Sequence, residues 1–168
     1  MKVTPYSMTA PVFVRMLTNL SGILDKAASY CEQRKVKESV LMEARLFPDM
    51  FPLTMQVRIA CDFARGGVSR LAGEEPPKFE DNETTLADLK GRIARSIEYV
   101  QRFSEAQLAG SEQRRIVRTI GGKETVFDGY GYLAQFVLPN FLFHVTTAYA
   151  ILRSNGVELG KRDFIGPI

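Results

Sequence analysis

The amino-acid sequence predicts an all-α protein, a four-helix bundle with a small β-hairpin between its third and fourth helices. Four segments of about 20 residues each repeat apolar side chains at helical spacing. A short stretch rich in β-branched residues is divided by a glycine pair, which is typical of a hairpin. The 168 residues, 45% of them hydrophobic, suffice for one core. We therefore expect residues 1–168 to form a single domain.

The first long helix is predicted from Thr9 to Arg34. Apolar residues recur every three or four positions along it, which is typical of an amphipathic helix on a core. This stripe consists of Phe13, Met16, Leu17, Leu20, Ile23, Leu24, Ala27 and Cys31. Pro11 fits the first turn, where the N–H that proline lacks would have no partner.

A short helix and a bend follow. The helix is predicted over Ser39 to Arg45, and Pro48 and Pro52 then disfavour helix in the residues before them. Because the bend is rich in Leu, Phe and Met, we expect it to pack on the core. We predict that Arg45 pairs with Asp49, four residues later, and keep as the alternative an arginine that binds an anion at a pocket mouth.

The second long helix is predicted from Leu53 to Leu71, with Gly73 placed to end it in a left-handed turn. A polar connection follows, and its length indicates a crossing over one end of the bundle. Thr85 then has the pattern of an N-cap, because Asp88 stands three residues later. The third helix is predicted to run from there to about Leu108.

Residues 114–127 predict two short strands around Gly121-Gly122. This hairpin is locally basic, but its charges are too scattered for a phosphate track and predict a solvated surface. The basic residues are Arg114, Arg115, Arg118 and Lys123.

The fourth helix is predicted from about Tyr130 to Ser154, and Pro139 should kink it or start it afresh. Its apolar residues go nearly all the way round. Since three partner helices cover only part of such a surface, we expect a second subunit to cover the rest, in a homodimer.

Charge and cysteine content exclude several classes. The net charge of +3 is too small and too dispersed to imply nucleic acid or an anionic membrane as partner. No stretch reaches the length of a membrane span without charges or proline, and the N-terminus lacks the pattern of a secretory signal. Cys31 and Cys61 lie among apolar helical neighbours without CxxC spacing, which predicts buried thiols in a reducing compartment. We expect a cytoplasmic protein.

His144 is the only histidine, and the helical stripe that carries it is otherwise apolar, so it is expected to point inward. A buried imidazole needs a partner for at least one ring nitrogen. Asn140, or a polar group from the bend near Asp49, could provide it. Three interpretations stay open: a structural or pocket-lining histidine without metal, an incomplete metal site, and a metal-free general acid or base.

Two long segments resemble a known family: LMEARLFPDMFPLTMQVRIACDFARGGVSRLAG and FHVTTAYAILRSNGVELGKRDFIG. They are similar to a bacterial and fungal domain family of unknown function within the DinB/YfiT-like superfamily, which is grouped as metalloenzymes. The resemblance implies a four-helix bundle with a long second-to-third connection, often dimeric.

The resemblance also implies a divalent metal on three histidines, one near the start of the second helix and two spaced four apart on the last. His144 matches one of that pair, whereas Asn140 or Ala148 stands where its partner would be. Near the start of the second helix the polar residues are Asp49 and Gln56. One histidine with oxygen donors is a weak ligand set for zinc or nickel, so we expect no firmly bound cofactor.

The candidate pocket residues are His144, Asn140, Asp49, Gln56, Arg45 and Tyr149. Two functions stay open. Polar groups on apolar stripes favour a DinB/YfiT-like small-molecule binder or enzyme whose metal site is incomplete or absent. The missing histidine pair favours a non-catalytic dimeric module for interaction or stress. No serine–histidine–acid set and no glycine-rich phosphate loop is present in the sequence.

Overall fold

The computed structural model describes residues 3–167 and is mostly helical with a two-stranded antiparallel hairpin, as the sequence predicts. In chain order the elements are α1 (Ala10–Arg34), α2 (Glu38–Met42), α3 (Leu53–Ala72), α4 (Leu86–Gln101), α5 (Glu105–Leu108), β1 (Ile116–Ile120), β2 (Lys123–Phe127), α6 (Gly129–Gly131), α7 (Leu138–Ser154) and α8 (Lys161–Ile165).

Four long helices enclose the core. Helix α3 packs against α4 and α7, α1 also packs against α4 and α7, and α1 and α3 contact each other. Every residue of the apolar stripe predicted for α1 is buried. Since a fully buried leucine or phenylalanine contributes about 1.5–3 kcal/mol, stripes of this kind supply the main free energy of the fold.

The predicted ends of α3 and the start of α4 are confirmed. Gly73 follows α3 with φ of +86°, the left-handed conformation that glycine adopts without strain. The Asp88 N–H donates to Thr85 Oγ1 at 3.0 Å, and the Thr85 N–H donates to the Asp88 carboxylate at 2.9 Å. This reciprocal capping box satisfies two donors that the helix itself leaves unpaired.

The third helix is shorter than predicted. It ends at Gln101, and the chain restarts as α5 after Ser104. The Ser104 N–H and hydroxyl both donate to the side-chain oxygen of Gln107, at 2.8 and 2.9 Å. Ser104 therefore acts as a new N-cap, a local signal that the apolar periodicity concealed.

The bend between α2 and α3 does not pack on the core as predicted, and α2 ends three residues early. Phe47 and Phe51 are 64% and 53% exposed. The reason is a local closure: Arg45 Nη1 donates to the Met50 carbonyl at 2.7 Å, so the bend is held against itself and directs its apolar side chains outward.

The glycine pair forms the predicted hairpin turn. Ile120 pairs with Lys123 across it, and Gly121 and Gly122 have φ of +57° and +79°. Positive φ at both central positions matches a two-residue turn whose twist suits antiparallel strands.

The last helical stretch is continuous over Gly129–Ser154, and its geometry changes at the proline. The residues before it, Tyr132–Val137, form a π-helical segment, and the α-helix α7 begins at Leu138 with Pro139 in its first turn, in agreement with the predicted fresh start. Proline lacks an N–H and its ring crowds the carbonyl one turn earlier, which the wider π turn accommodates. Asn140 Nδ2 donates to the Phe136 carbonyl, four residues earlier in the same helix, at 2.7 Å.

This helix is long and apolar enough to cross a membrane by length and mean hydropathy alone, a property it shares with core helices of soluble proteins. One side of it is buried against α1 and α3. Leu142 and Phe143, on another side, are 39% and 54% exposed. An exposed apolar surface, of the kind that a second subunit was predicted to cover, is therefore present on this helix.

Both cysteines are buried, as predicted. Burial raises the pKa of the Cys61 thiol to about 12 and also raises the pKa of the Cys31 thiol. Neither sulfur is a thiolate near neutral pH, so neither is a ready nucleophile.

Candidate functional site

His144 lies on the inner side of α7 and is 8% exposed, as its position on an apolar stripe predicts. Its Nδ1 lies 2.7 Å from Oε1 of Gln56, in the first turn of α3. The Gln56 amide nitrogen donates to the Phe51 carbonyl at 3.0 Å. Because the amide nitrogen is used there, its oxygen faces the imidazole and accepts, and this network assigns the proton to Nδ1.

The other ring nitrogen, Nε2, forms no hydrogen bond to any residue within 3–167 and is an acceptor in this tautomer. Burial lowers the pKa of His144, so the ring is neutral near pH 7. Phe63 stacks on it with ring centroids 6.0 Å apart, and Phe143 meets it edge-on at 5.2 Å. The result is a fixed neutral imidazole that can accept a hydrogen bond or a proton.

Asn140 and Asp49, the partners proposed for His144 from the sequence, are engaged elsewhere or exposed. The Asn140 amide donates to the carbonyl of Phe136 in its own helix. Asp49 is exposed and forms no hydrogen bond or ion pair within residues 3–167. The partner of the imidazole is Gln56, which the sequence placed among the candidates without assigning it this role.

Arg45 and Tyr149 also lie apart from this network. Arg45 donates to the Met50 carbonyl rather than to Asp49, so the predicted ion pair is replaced by a backbone contact. The Tyr149 ring packs edge-on against Phe164 of α8, with centroids 5.8 Å apart. Of the six candidate residues, the structure brings His144 and Gln56 together.

The ligand set does not fit the metal that the resemblance implies. Within the part of the chain that the structure describes, no group of three or more His, Cys, Asp or Glu side chains could hold an ion. His144 has one nitrogen committed to Gln56, and the Asn140 amide is turned to its own helix. A zinc ion needs at least three protein ligands, and this site offers one.

Sequence reasoning missed an ion network between α3, α4 and the connection that joins them. Arg92 is 1% exposed, and its guanidinium contacts Glu83 at 2.9 Å and Asp62 and Asp81 at 3.0 Å. Arg58 Nε also donates to Glu83, at 2.7 Å. The available signal was that Arg92 interrupts the apolar stripe of α4.

The pKa of Glu83 reports how this network is balanced. Burial alone would raise it, but hydrogen bonds from Arg92 and Arg58 hold the pKa of Glu83 below its usual value. The carboxylate is therefore ionised and paired, and it ties the connection to both helices.

A cleft of about 570 Å³ lies next to this network. Phe63, which stacks on His144, also lines the cleft, together with Arg118 of the hairpin. The hairpin charge that the sequence assigned to a solvated surface thus contributes to a concave one.

Comparison with known proteins agrees with the helical architecture. The model of a domain of unknown function, DUF1993, matches residues 6–165. The chain is similar to the crystal structure of a DinB family member protein from Shewanella denitrificans, with 45% sequence identity and a TM-score of 0.91 over 97% of this chain and 92% of that one. No curated protein matches the chain.

Proposed function

Because the chain belongs to the DUF1993 family of domains of unknown function, we propose that it is a DinB-like four-helix bundle that binds a small molecule without a histidine-triad metal. One observation carries the proposal: the only histidine is kept neutral by burial, is oriented by Gln56, and presents Nε2 without a partner within residues 3–167. A polar group on an apolar stripe costs stability unless it is satisfied or used, and here one nitrogen is satisfied.

The chemistry open to His144 follows from its tautomer. Nε2 accepts a hydrogen bond from a hydroxyl or N–H of a ligand, and it takes the proton if that group is acidic enough. The imidazolium so formed keeps its Nδ1–H on the Gln56 oxygen, which stabilises the positive charge. The exposed rings of Phe51 and Phe143 provide apolar contact for the rest of such a ligand.

Metal analysis of protein purified without an affinity tag tests this function. We expect no stoichiometric metal by mass spectrometry, and no difference between the wild type and His144→Ala. Since His144 is the only histidine, its ¹⁵N NMR spectrum reports the tautomer directly, and we expect the proton on Nδ1. Stoichiometric metal that is lost in the variant would contradict the proposal.

A second function, a non-catalytic dimeric interaction module in the cytoplasm, is favoured by the exposed apolar side chains around His144. Phe143 contacts the imidazole, and the carbonyl of Phe51 binds its glutamine partner, yet both rings are more than half exposed. Aromatic side chains in such positions commonly anchor interfaces.

Light scattering at low micromolar concentration tests this alternative. We expect a dimer that Phe143→Glu converts to a monomer. Val126→Glu is the matched control, because Val126 is 50% exposed but lies on the hairpin. A monomeric wild type would eliminate the dimeric module and leave the small-molecule function standing.

A further inference from the structure

The cleft beside Phe63 is framed by segments far apart in sequence: α3, the connection after it, strand β1 and the π-helical segment. Its volume of about 570 Å³ falls in the range of small-molecule sites, about 300–1,000 Å³. One wall is aromatic: Phe136 lies 5.5 Å from Phe63 and 6.0 Å from Tyr132, between ring centroids. We call it the arginine cleft, after Arg65, Arg70 and Arg118, which also line it.

These three arginines present unpaired donors. Each has a buried Nε–H without a hydrogen-bond partner within residues 3–167. Arg65 is 3% exposed, so bulk water does not replace the missing partner. A buried donor left unpaired is unfavourable, because it has given up its hydrogen bonds to water. The terminal nitrogens of Arg65 and Arg70 already donate to groups of the cleft, Arg65 to Asp62 and Arg70 to Glu75. Those of Arg118 have no partner within residues 3–167 and are the donors open to an oxyanion, whose oxygens each accept several hydrogen bonds.

The carboxylates of the cleft do not cancel this positive charge, because each is already paired. Asp62 pairs with Arg65 and, at 3.0 Å, with Arg92. Asp81 pairs with Arg92 at 3.0 Å, and Glu75 pairs with Arg70 at 2.9 Å. Arg118 and Lys78 line the cleft and form no ion pair within residues 3–167. The unpaired charge in the cleft is therefore positive.

Arg70 is positioned by the backbone of α3 itself. Its Nη1 donates to the Tyr132 hydroxyl at 3.3 Å, and that hydroxyl donates to the Gly66 carbonyl at 3.2 Å. A Cβ at Gly66 would lie 2.5 Å from the same Nη1, so only glycine leaves room for the guanidinium. Tyr132 and Phe136 both come from the π-helical segment, a feature often found at functional sites.

We propose that the arginine cleft binds a small organic anion. Its carboxylate or phosphate group contacts the guanidinium groups, and its apolar or aromatic body lies against Phe63 and Phe136. The cleft is lined by neither His144 nor Gln56, so this site stands independently of the function proposed for the imidazole.

Calorimetry with four probes in phosphate-free buffer at low salt tests the ligand class: phenyl phosphate, benzoate, inorganic phosphate and benzyl alcohol. We expect phenyl phosphate or benzoate to bind at least tenfold more tightly than inorganic phosphate and benzyl alcohol, because charge and apolar body are both required. The tighter of the two identifies the anionic group. Failure of both to bind, or equal binding by benzyl alcohol, overturns the proposal.

Matched variants test the location. Arg118→Gln should weaken the better probe at least tenfold, whereas Arg115→Gln, which removes an exposed charge outside the cleft, should leave its affinity unchanged. Equal losses in both variants would mean non-specific attraction and overturn the site. His144→Ala should retain the affinity, and a loss in that variant would overturn the independence of the two sites.

Discussion

Phe63 contacts both the imidazole of His144 and the arginine cleft, yet the two sides differ in what they offer a ligand. The His144 side has one acceptor nitrogen, oriented by a chain of hydrogen bonds through Gln56 to a backbone carbonyl. The cleft side has several unpaired donors and an aromatic wall. One suits a proton donor and the other suits an anion.

Comparison of the charged groups near the cleft shows that burial alone does not identify a binding site. Arg92 is the most deeply buried charge near the cleft, but its contacts to three carboxylates make it a structural group. Arg118 is less buried and unpaired within residues 3–167, and it is the better candidate for a residue that binds a ligand. Pairing, more than depth, separates support from recognition.

The largest loss of stability is expected from Arg92→Leu, beside the arginine cleft. It leaves Glu83 buried without its main partner, and breaking a buried pair typically costs about 3–5 kcal/mol. Arg95→Leu, an exposed change on the same helix, should cost no more than about 0.5 kcal/mol. Urea denaturation measures both, and equal costs would show that the network does not support the fold.

The same network predicts a loss of stability in acid. Because the folded pKa of Glu83 is lowered, its contribution is fully present above the unfolded value, about 4.3, and is lost as pH falls through the lower folded value. Denaturation curves from pH 6 down to pH 2 should show this loss in the wild type. If Arg92→Leu shows the same loss of stability in acid, that loss arises from other carboxylates.

The contribution of His144 to stability changes in a higher pH range than that of Glu83. Burial lowers the folded pKa of His144, so its contribution is present above the unfolded value, about 6.5, and is lost as pH falls through the folded value. Urea midpoints between pH 8 and pH 5 measure it. His144→Gln should remove this dependence while keeping the acid loss caused by Glu83.

Gln56→Glu places a negative charge against the imidazole of His144 and tests how its partner controls its protonation. An adjacent carboxylate favours the charged ring, so the pKa of His144 should rise. NMR titration of the single histidine measures it. Gln135→Glu, exposed in the π-helical segment, should leave that pKa unchanged, and an equal rise there would indicate a general field effect.

The smallest expected effect on stability is that of Gly66→Ala. The new Cβ meets the end of the flexible Arg70 side chain, which can move, so the free energy of unfolding should change by no more than about 1 kcal/mol. Phenyl phosphate should nevertheless bind more weakly, because the guanidinium is displaced. Gly22→Ala, whose Cβ meets nothing within 4 Å, should leave binding unaltered, and equal affinities in both variants would remove Arg70 from the site.

Local signals made much of the fold predictable. The stripe of α1, the capping box at Thr85 and the turn at Gly121-Gly122 are each contained in a few neighbouring residues, and each is confirmed. The prediction that the bend at Phe47 and Phe51 packs on the core was wrong, because apolar composition does not show which way a side chain points. The contact from Arg45 to Met50 closes the chain locally and leaves these side chains exposed.

The sites depend on contacts between distant residues. The inward position of His144 followed from its helical stripe, but its partner Gln56 lies 88 residues away and no local pattern joins them. The arginine cleft needs Arg70 and Arg118 from separate elements, so neither residue alone points to it. Such sites emerge only when the topology brings their elements together.

Cys61 offers an internal chemical probe of how often the helices separate. Thiol reagents attack the thiolate, and this sulfur is fully buried with a pKa of about 12. Alkylation under native conditions therefore requires α3 to part from its neighbours, and its rate measures that opening. Cys31, nearer the end of α1, should be labelled sooner through fraying, so the two rates would give a local and a global timescale from one unmodified chain.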